Sequence, residues 1–161
     1  MITASELAGF FAAHAIWCLS DEDGLTPMVA HQRGNQRDMT RLVHDQVADA
    51  VEAGKQRLNA NPDNAEDAAL VYDGFVTIEG IKLDAVIVEL RAYVSPSSQA
   101  TLAIPYTPKS TGAFRVHRPK LLQWDDCEDF DMNAVLGAFF DGVAKHEKGS
   151  AVWSATLDES R

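Results

Sequence analysis

Residues 70–94 read LVYDGFVTIEGIKLDAVIVELRAYV. Apolar and polar residues alternate along both halves, which is the period of a β-strand, and Gly80-Ile81 stands between them as a turn. One strand is expected over Leu70–Glu79 and a second over Lys82–Val94. That turn sets Ile78 opposite Leu83, Val76 opposite Ala85, Tyr72 opposite Glu89 and Lys82 opposite Glu79. Ser95-Pro96-Ser97-Ser98 reads as a loop. Two shorter strands follow, Thr101–Tyr106 and Phe114–His117, separated by Thr107–Gly112. The four make an antiparallel meander. In its second strand Val86, Val88 and Leu90 alternate with Ala85, Ile87 and Glu89, so both faces are apolar and both need a cover.

Upstream of the meander, residues 3–19 read as a helix. Thr3 and Glu6 have capping-box spacing, and Leu7, Phe10, Phe11, His14, Trp17 and Cys18 form an apolar stripe. Met28–Gln32 and Arg37–Val43 read as a hairpin around Gly34-Asn35. Ala30 then faces Met39, Val29 faces Thr40 and His31 faces Asp38. A second helix is expected over Asp45–Asn59, with Val47, Ala50, Val51, Gly54 and Leu58 on its buried side and Asn61-Pro62 ending it. Downstream, Asp131 caps a third helix running to Lys148. Its apolar face is Val135, Leu136, Phe139, Phe140 and Val143, and Gly149 ends it. Ala151–Leu157 adds a short terminal helix. The fold class is α+β: a four-strand meander plus an N-terminal hairpin, with three amphipathic helices in a second layer. No linker divides the 161 residues, so residues 1–161 are expected to form one domain. The second sheet face must be covered by the hairpin, by a helix or by another copy of the chain, and a homodimer through the sheet or an apolar helix face is expected.

The chain has a net charge of −10 and two cysteines, Cys18 and Cys127. An acidic surface repels nucleic acid and anionic lipid and suits basic protein partners. No basic leader precedes the first helix, and two cysteines do not make a disulfide framework. A cytoplasmic protein with two reduced thiols is expected. It is expected to contact neither nucleic acid nor membrane.

Charge is nonetheless segregated. Between Glu89 and Asp125 there is no acidic residue, and Arg91, Lys109, Arg115, Arg118 and Lys120 stand there. Lys109, Arg115, His117, Arg118 and Lys120, with Tyr106 beside them, are the candidate anion-binding residues. Cations and small residues near unpaired backbone N–H groups can cradle a phosphate or carboxylate. The competing explanation is charge pairing with the acidic loop Asp125–Asp131. In that loop Asp129, Asp131 and Asn133 match the start of a calcium loop. Ala134 replaces its turn glycine and Phe140 its bidentate glutamate, so no metal is expected. The five histidines form no zinc signature, and nucleophile and dinucleotide motifs are absent. No cofactor is expected.

Two function classes remain. The first is an acidic binding protein without catalysis. In size and charge the chain is similar to the type III secretion chaperones, which are small acidic α+β dimers. Their order places three strands before the middle helix and two after it, where this sequence reads two and four. An immunity-type protein masking a basic toxin fits equally. The second class is a small enzyme or ligand-binding protein for an anionic small molecule. Lys109, Arg115 and Arg118 would hold the anion, Tyr106 would orient it and His117 would move a proton.

Overall fold

The computed structural model describes residues 1–94 and 97–161; the expected loop at Ser95-Pro96 lies outside the described residues. The order is α1 (Ile2–Ser20), β1 (Met28–Arg33), β2 (Gln36–Arg41), α2 (Val47–Ala60), β3 (Asp67–Ile78), β4 (Ile81–Ala92), β5 (Ser98–Thr107), a 3-10 turn (Lys109–Thr111), β6 (Arg115–Val116), β7 (Lys120–Asp125), α3 (Met132–Lys145) and α4 (Glu147–Thr156). The strands form one antiparallel sheet in the order β2-β1-β3-β4-β5-β6, and β7 also pairs with β5. The α+β class holds, with four helices and seven strands among the described residues.

The hairpin has the expected register, with Ala30 opposite Met39 and His31 opposite Asp38. The meander differs. Its turn residues are Glu79 and Gly80, both at positive φ (50° and 80°) as a tight two-residue hairpin turn requires. Ile78 therefore pairs with Ile81, Val76 with Leu83, Tyr72 with Ile87 and Thr77 with Lys82. The shift is two residues, so every side chain keeps its face. β7 was not expected. Thr101 pairs with Gln123 but Leu102 with Leu121, so Leu122 is an inserted bulge residue. The bulge breaks the alternation that would have marked the strand.

Val71, Val86, Val88, Leu90, Ile104 and Tyr106 lie on one sheet face with α1, α3 and α4. α1 is not amphipathic. Leu7, Ala8, Phe11, Ala12, Ala13 and Ile16 are all buried, so it is enclosed over most of its circumference between the sheet and the last two helices, and the strip Glu6, Phe10, His14, Trp17 and Cys18 is half-buried. It is long and apolar enough by composition to cross a membrane, and in this fold it is the central core helix. Its N-cap is Met1 with no side-chain cap; Glu6 instead pairs with Lys145 of α3. α3 is capped by Asp131, whose Oδ1 accepts from the Asn133 N–H at 2.9 Å. It ends at His146, three residues before Gly149. There His146 takes an extended conformation and caps α4.

The opposite face is covered by a helix. Ala50, Gly54 and Leu58 of α2 lie buried, Ala50 and Leu58 packing over Val29, Leu42, Ala68 and Leu70. A Cβ on Gly54 would lie 2.5 Å from Leu70 Cδ1, so glycine permits this approach. Further along, Ala85, Ile87 and Ala103 are buried beside Tyr72 and Val76. α2 is thus the cover of the β1–β3 part of this face.

Candidate functional site

β5 and its two partners place the basic segment. Tyr106 pairs with Val116 and Thr107 with Arg115, so Tyr106 and Arg115 point to opposite sheet faces. The Tyr106 hydroxyl donates to Asp73 Oδ1 at 2.7 Å. Burial, the Asp73 hydrogen bond and the charges of Asp73 and Asp84 push the phenol far above its usual range. Burial also raises the Asp73 carboxyl, as does Asp84, against the Tyr106 hydrogen bond. Arg115, His117 and Arg118 come together against the residues after α4. Arg115 Nη1 is 3.9 Å from Asp158 Oδ2 and Arg118 Nη2 is 3.5 Å from Glu159 Oε2. His117 is buried between Thr107 Oγ1 and the Asp158 carbonyl. Lys109 sits on the exposed 3-10 turn, and Lys120 opens β7 opposite Ala103. These arginines thus pair with Asp158 and Glu159, and not with the acidic loop.

A second constellation joins residues that the sequence keeps far apart. His14 and Cys18 are one turn apart on α1, and His146 is at the α3–α4 junction. Cys18 Sγ is 3.7 Å from His14 Nε2, and His14 Nδ1 is 3.1 Å from His146 Nε2. The Gly149 N–H donates to His146 Nδ1 at 2.9 Å. A backbone N–H can only donate, so the neutral chain has one direction. His146 Nε2–H donates to His14 Nδ1, and His14 Nε2–H points at Cys18. His14 therefore cannot accept the Cys18 proton, nor can that nitrogen bind a metal, without reversing the chain. Burial raises the Cys18 thiol; Asp23 and Asp21 raise it further and Arg41 opposes them. A nucleophilic cysteine needs the reverse arrangement. The cleft beside these groups holds about 320 Å³ and is lined by Trp17, Asp21, Asp23 and Arg41 as well as His14 and Cys18.

Other polar groups are internal. Glu89 is buried, accepting from the Tyr72 hydroxyl at 3.1 Å and pairing with Lys55 Nζ of α2 at 3.0 Å. Asp131 is engaged in capping α3. Among the described residues, no group of three or more His, Cys, Asp or Glu is arranged to hold a metal ion. Cys127 is buried, its thiol raised first by burial, and donates to the Asp125 carbonyl at 3.0 Å.

The third feature is an apolar groove of about 110 Å³ between β7 and α3. Leu90, Ala100, Leu102 and Phe139 lie at its base. Leu121, Met132 and Leu136 on its lining remain 40–49% exposed. Phe140, one turn beyond Leu136, continues the stripe and is also exposed. The sequence reading buried Leu136 and Phe140 and missed Leu121. The i, i+4, i+8 spacing of Met132, Leu136 and Phe140 was the available signal. The acidic loop joins Trp124 to Met132, two groove residues, but its first two carboxylates turn away: Asp125 accepts from Gln99 and Gln123, and Asp126 lies beside Leu58 and Arg91 on the opposite sheet face.

Comparison with known protein families, with curated proteins and with solved structures finds no match for this chain.

Proposed function

We propose that the chain is a small acidic binding protein without catalytic activity, holding an apolar, basic-flanked segment of another protein in the groove between β7 and α3. The observation that carries this reading is the exposed set Leu121, Met132 and Leu136 above a preformed apolar floor. Fully burying an exposed apolar side chain of the partner there contributes about 1.5–3 kcal/mol, so a few anchors suffice for useful affinity. Glu128 and Asp129, exposed in the loop that joins Trp124 to Met132, supply the negative charge that would meet lysine or arginine beside those anchors. Such rim charges set orientation and association rate more than affinity. The two free cysteines support a reducing compartment such as the cytoplasm. A small-molecule anion site over residues 109–120 draws less support, because Arg115 and Arg118 already face carboxylates of the chain.

The test is selection of peptides from a random display library on the full chain. The selected peptides are expected to combine apolar residues with Lys or Arg. Their binding should weaken at least tenfold on Leu136→Asp and fall with added salt. A consensus lacking basic residues, or one indifferent to Leu136→Asp, would overturn the reading. Self-association of the wild-type chain that Leu136→Asp abolishes would replace the foreign partner with a second copy.

A further inference from the structure

The residues after α4 lie along β6 like an added strand. Leu157 forms a parallel bridge with Val116, and the Asp158 N–H donates to the Val116 carbonyl at 2.8 Å. The Asp158 carbonyl is 3.2 Å from His117 Nδ1. A carbonyl only accepts, so Nδ1 carries the proton and the Thr107 hydroxyl donates to Nε2 at 3.1 Å. His117 is 2% exposed, so its N–H would be left unsatisfied if nothing replaced that carbonyl. Both main-chain polar groups of Asp158 are thus held. Its carboxylate and that of Glu159 meet Arg115 and Arg118. Strand addition recognises peptides in this way, with main-chain bonds for affinity and side chains for sequence.

The contact is also built to exchange. In both ion pairs the arginine is exposed, and Asp158 is half-buried and Glu159 exposed, so each pair is weak singly. The pairing with β6 is one isolated bridge. The buried donor, in contrast, belongs to the sheet side and stays in place when the segment leaves.

We propose that the β6 edge, Arg115 to Arg118, is a docking site for an extended acidic segment of a partner protein, which Leu157–Glu159 occupies in cis until displaced. The site is separate from the β7–α3 groove and takes a ligand of opposite charge, so either can fail without the other. It gives the acid-free stretch between Glu89 and Asp125 a function in a chain of net charge −10.

The probe is a fluorescent peptide with the sequence of residues 155–161, Ala-Thr-Leu-Asp-Glu-Ser-Arg, and a control carrying Asn and Gln for the two acids. Binding to the full chain is read by anisotropy. In the wild type the cis segment competes at an effective concentration on the order of millimolar. Asp158→Ala/Glu159→Ala is expected to bind the peptide at least tenfold more tightly than wild type. Adding Arg115→Ala/Arg118→Ala should reverse the gain, added salt should weaken it, and the control should not bind. Amide shifts should report the peptide at Val116 and His117. Asp158→Pro, which lacks the N–H given to Val116, opens the edge by a second route. Failure of both variants to gain affinity overturns the proposal, as does binding that ignores the two arginines or maps to Leu121 and Leu136. A wild-type dimer lost on Arg115→Ala/Arg118→Ala would also overturn it, by making the occupant a second copy.

Discussion

Gly142→Ala should destabilise the protein although it places a better helix former inside a helix. α1 and α3 cross at backbone contact. A Cβ on Gly142 would lie 2.0 Å from the Glu6 carbonyl oxygen and 2.9 Å from the Phe10 nitrogen. Across the same crossing, a Cβ on Gly9 would lie 1.8 Å from the Phe139 carbonyl oxygen. Ordinary contact begins near 3.4 Å, so the helices must part by more than 1 Å there. A gap of that size forfeits a quarter to a half of each displaced contact, and buried Phe139, Leu7 and Val143 flank the crossing. Overpacking a core costs about 1–3 kcal/mol or more, against a propensity gain of about 1 kcal/mol. The blocking atoms are backbone and cannot rotate away, so a net loss of about 2 kcal/mol is expected. For a chain of this size that lowers Tm by roughly 4–8 °C. The control lies on the same helix. Gly137 has nothing within 4 Å of its Cβ position, so Gly137→Ala should stabilise by up to about 1 kcal/mol. Urea and thermal unfolding followed by tryptophan fluorescence measure both. If the two variants shift the same way, the account of the α1–α3 crossing is wrong.

Two further outcomes follow from the buried polar groups. Burial, most of all, lowers the basicity of both His14 and His146; His146 and Arg41 add to this for His14, and Lys148 for His146. The unfolded histidines titrate at about 6.5, so below that pH the unfolded chain takes up protons the folded chain refuses, and stability falls until the lower folded values are reached. His146→Asn can keep the cap to Gly149 and does not titrate. Its urea midpoint should gain on wild type between pH 7.5 and 5.5, and parallel curves would refute this. Tyr72→Phe should cost about 1–2 kcal/mol by removing a donor to the buried Glu89 carboxylate. In a Glu89→Gln background the same substitution should cost less, and the difference between the two urea midpoints measures the coupling.

The sequence made most of the helices and strands legible, because their cores follow simple periods. The hairpin register came from Gly34-Asn35 and was correct to the residue. The meander was displaced by two residues because Gly80 was placed first in the turn. Glu79 shares that turn at positive φ, a conformation glutamate does not advertise. β7 escaped because its bulge sets Leu121 and Leu122 side by side. The break at His146 escaped because it depends on a bond to Gly149 and on packing against Phe10 and Trp17, all invisible to a local period. Of the basic segment, the sequence gathered the cations but not their partners. Asp158 and Glu159 lie about forty residues away, and only the fold brings them together. The groove was missed for a related reason, although the spacing of Met132, Leu136 and Phe140 was there to be read. Val135 and Phe139 face the core while Leu136 and Phe140 do not, and all four are equally apolar in sequence.

The edges of the sheet explain why the groove stands out. An open strand edge invites pairing with other chains, and proteins blunt it with charge, cover or curvature. β2, at one end, has the sequence Gln-Arg-Asp-Met-Thr-Arg, and its charged residues protect it. β6 is two residues long and is covered by Leu157 and Asp158. β7 follows neither rule. Between Lys120 and Asp125 it carries Leu121, Leu122, Gln123 and Trp124, and both leucines are exposed. Among the described residues no strand pairs with its outer side. A chain that charges one edge and covers another has left the third apolar, beside an exposed apolar stripe of α3. If that edge were only a defect, replacing Leu121 with Lys would improve solubility and change nothing else. On the binding reading, Leu121→Lys leaves the unfolding free energy from urea titration within about 0.5 kcal/mol of wild type, as surface changes do, and abolishes capture of the peptides selected on the groove.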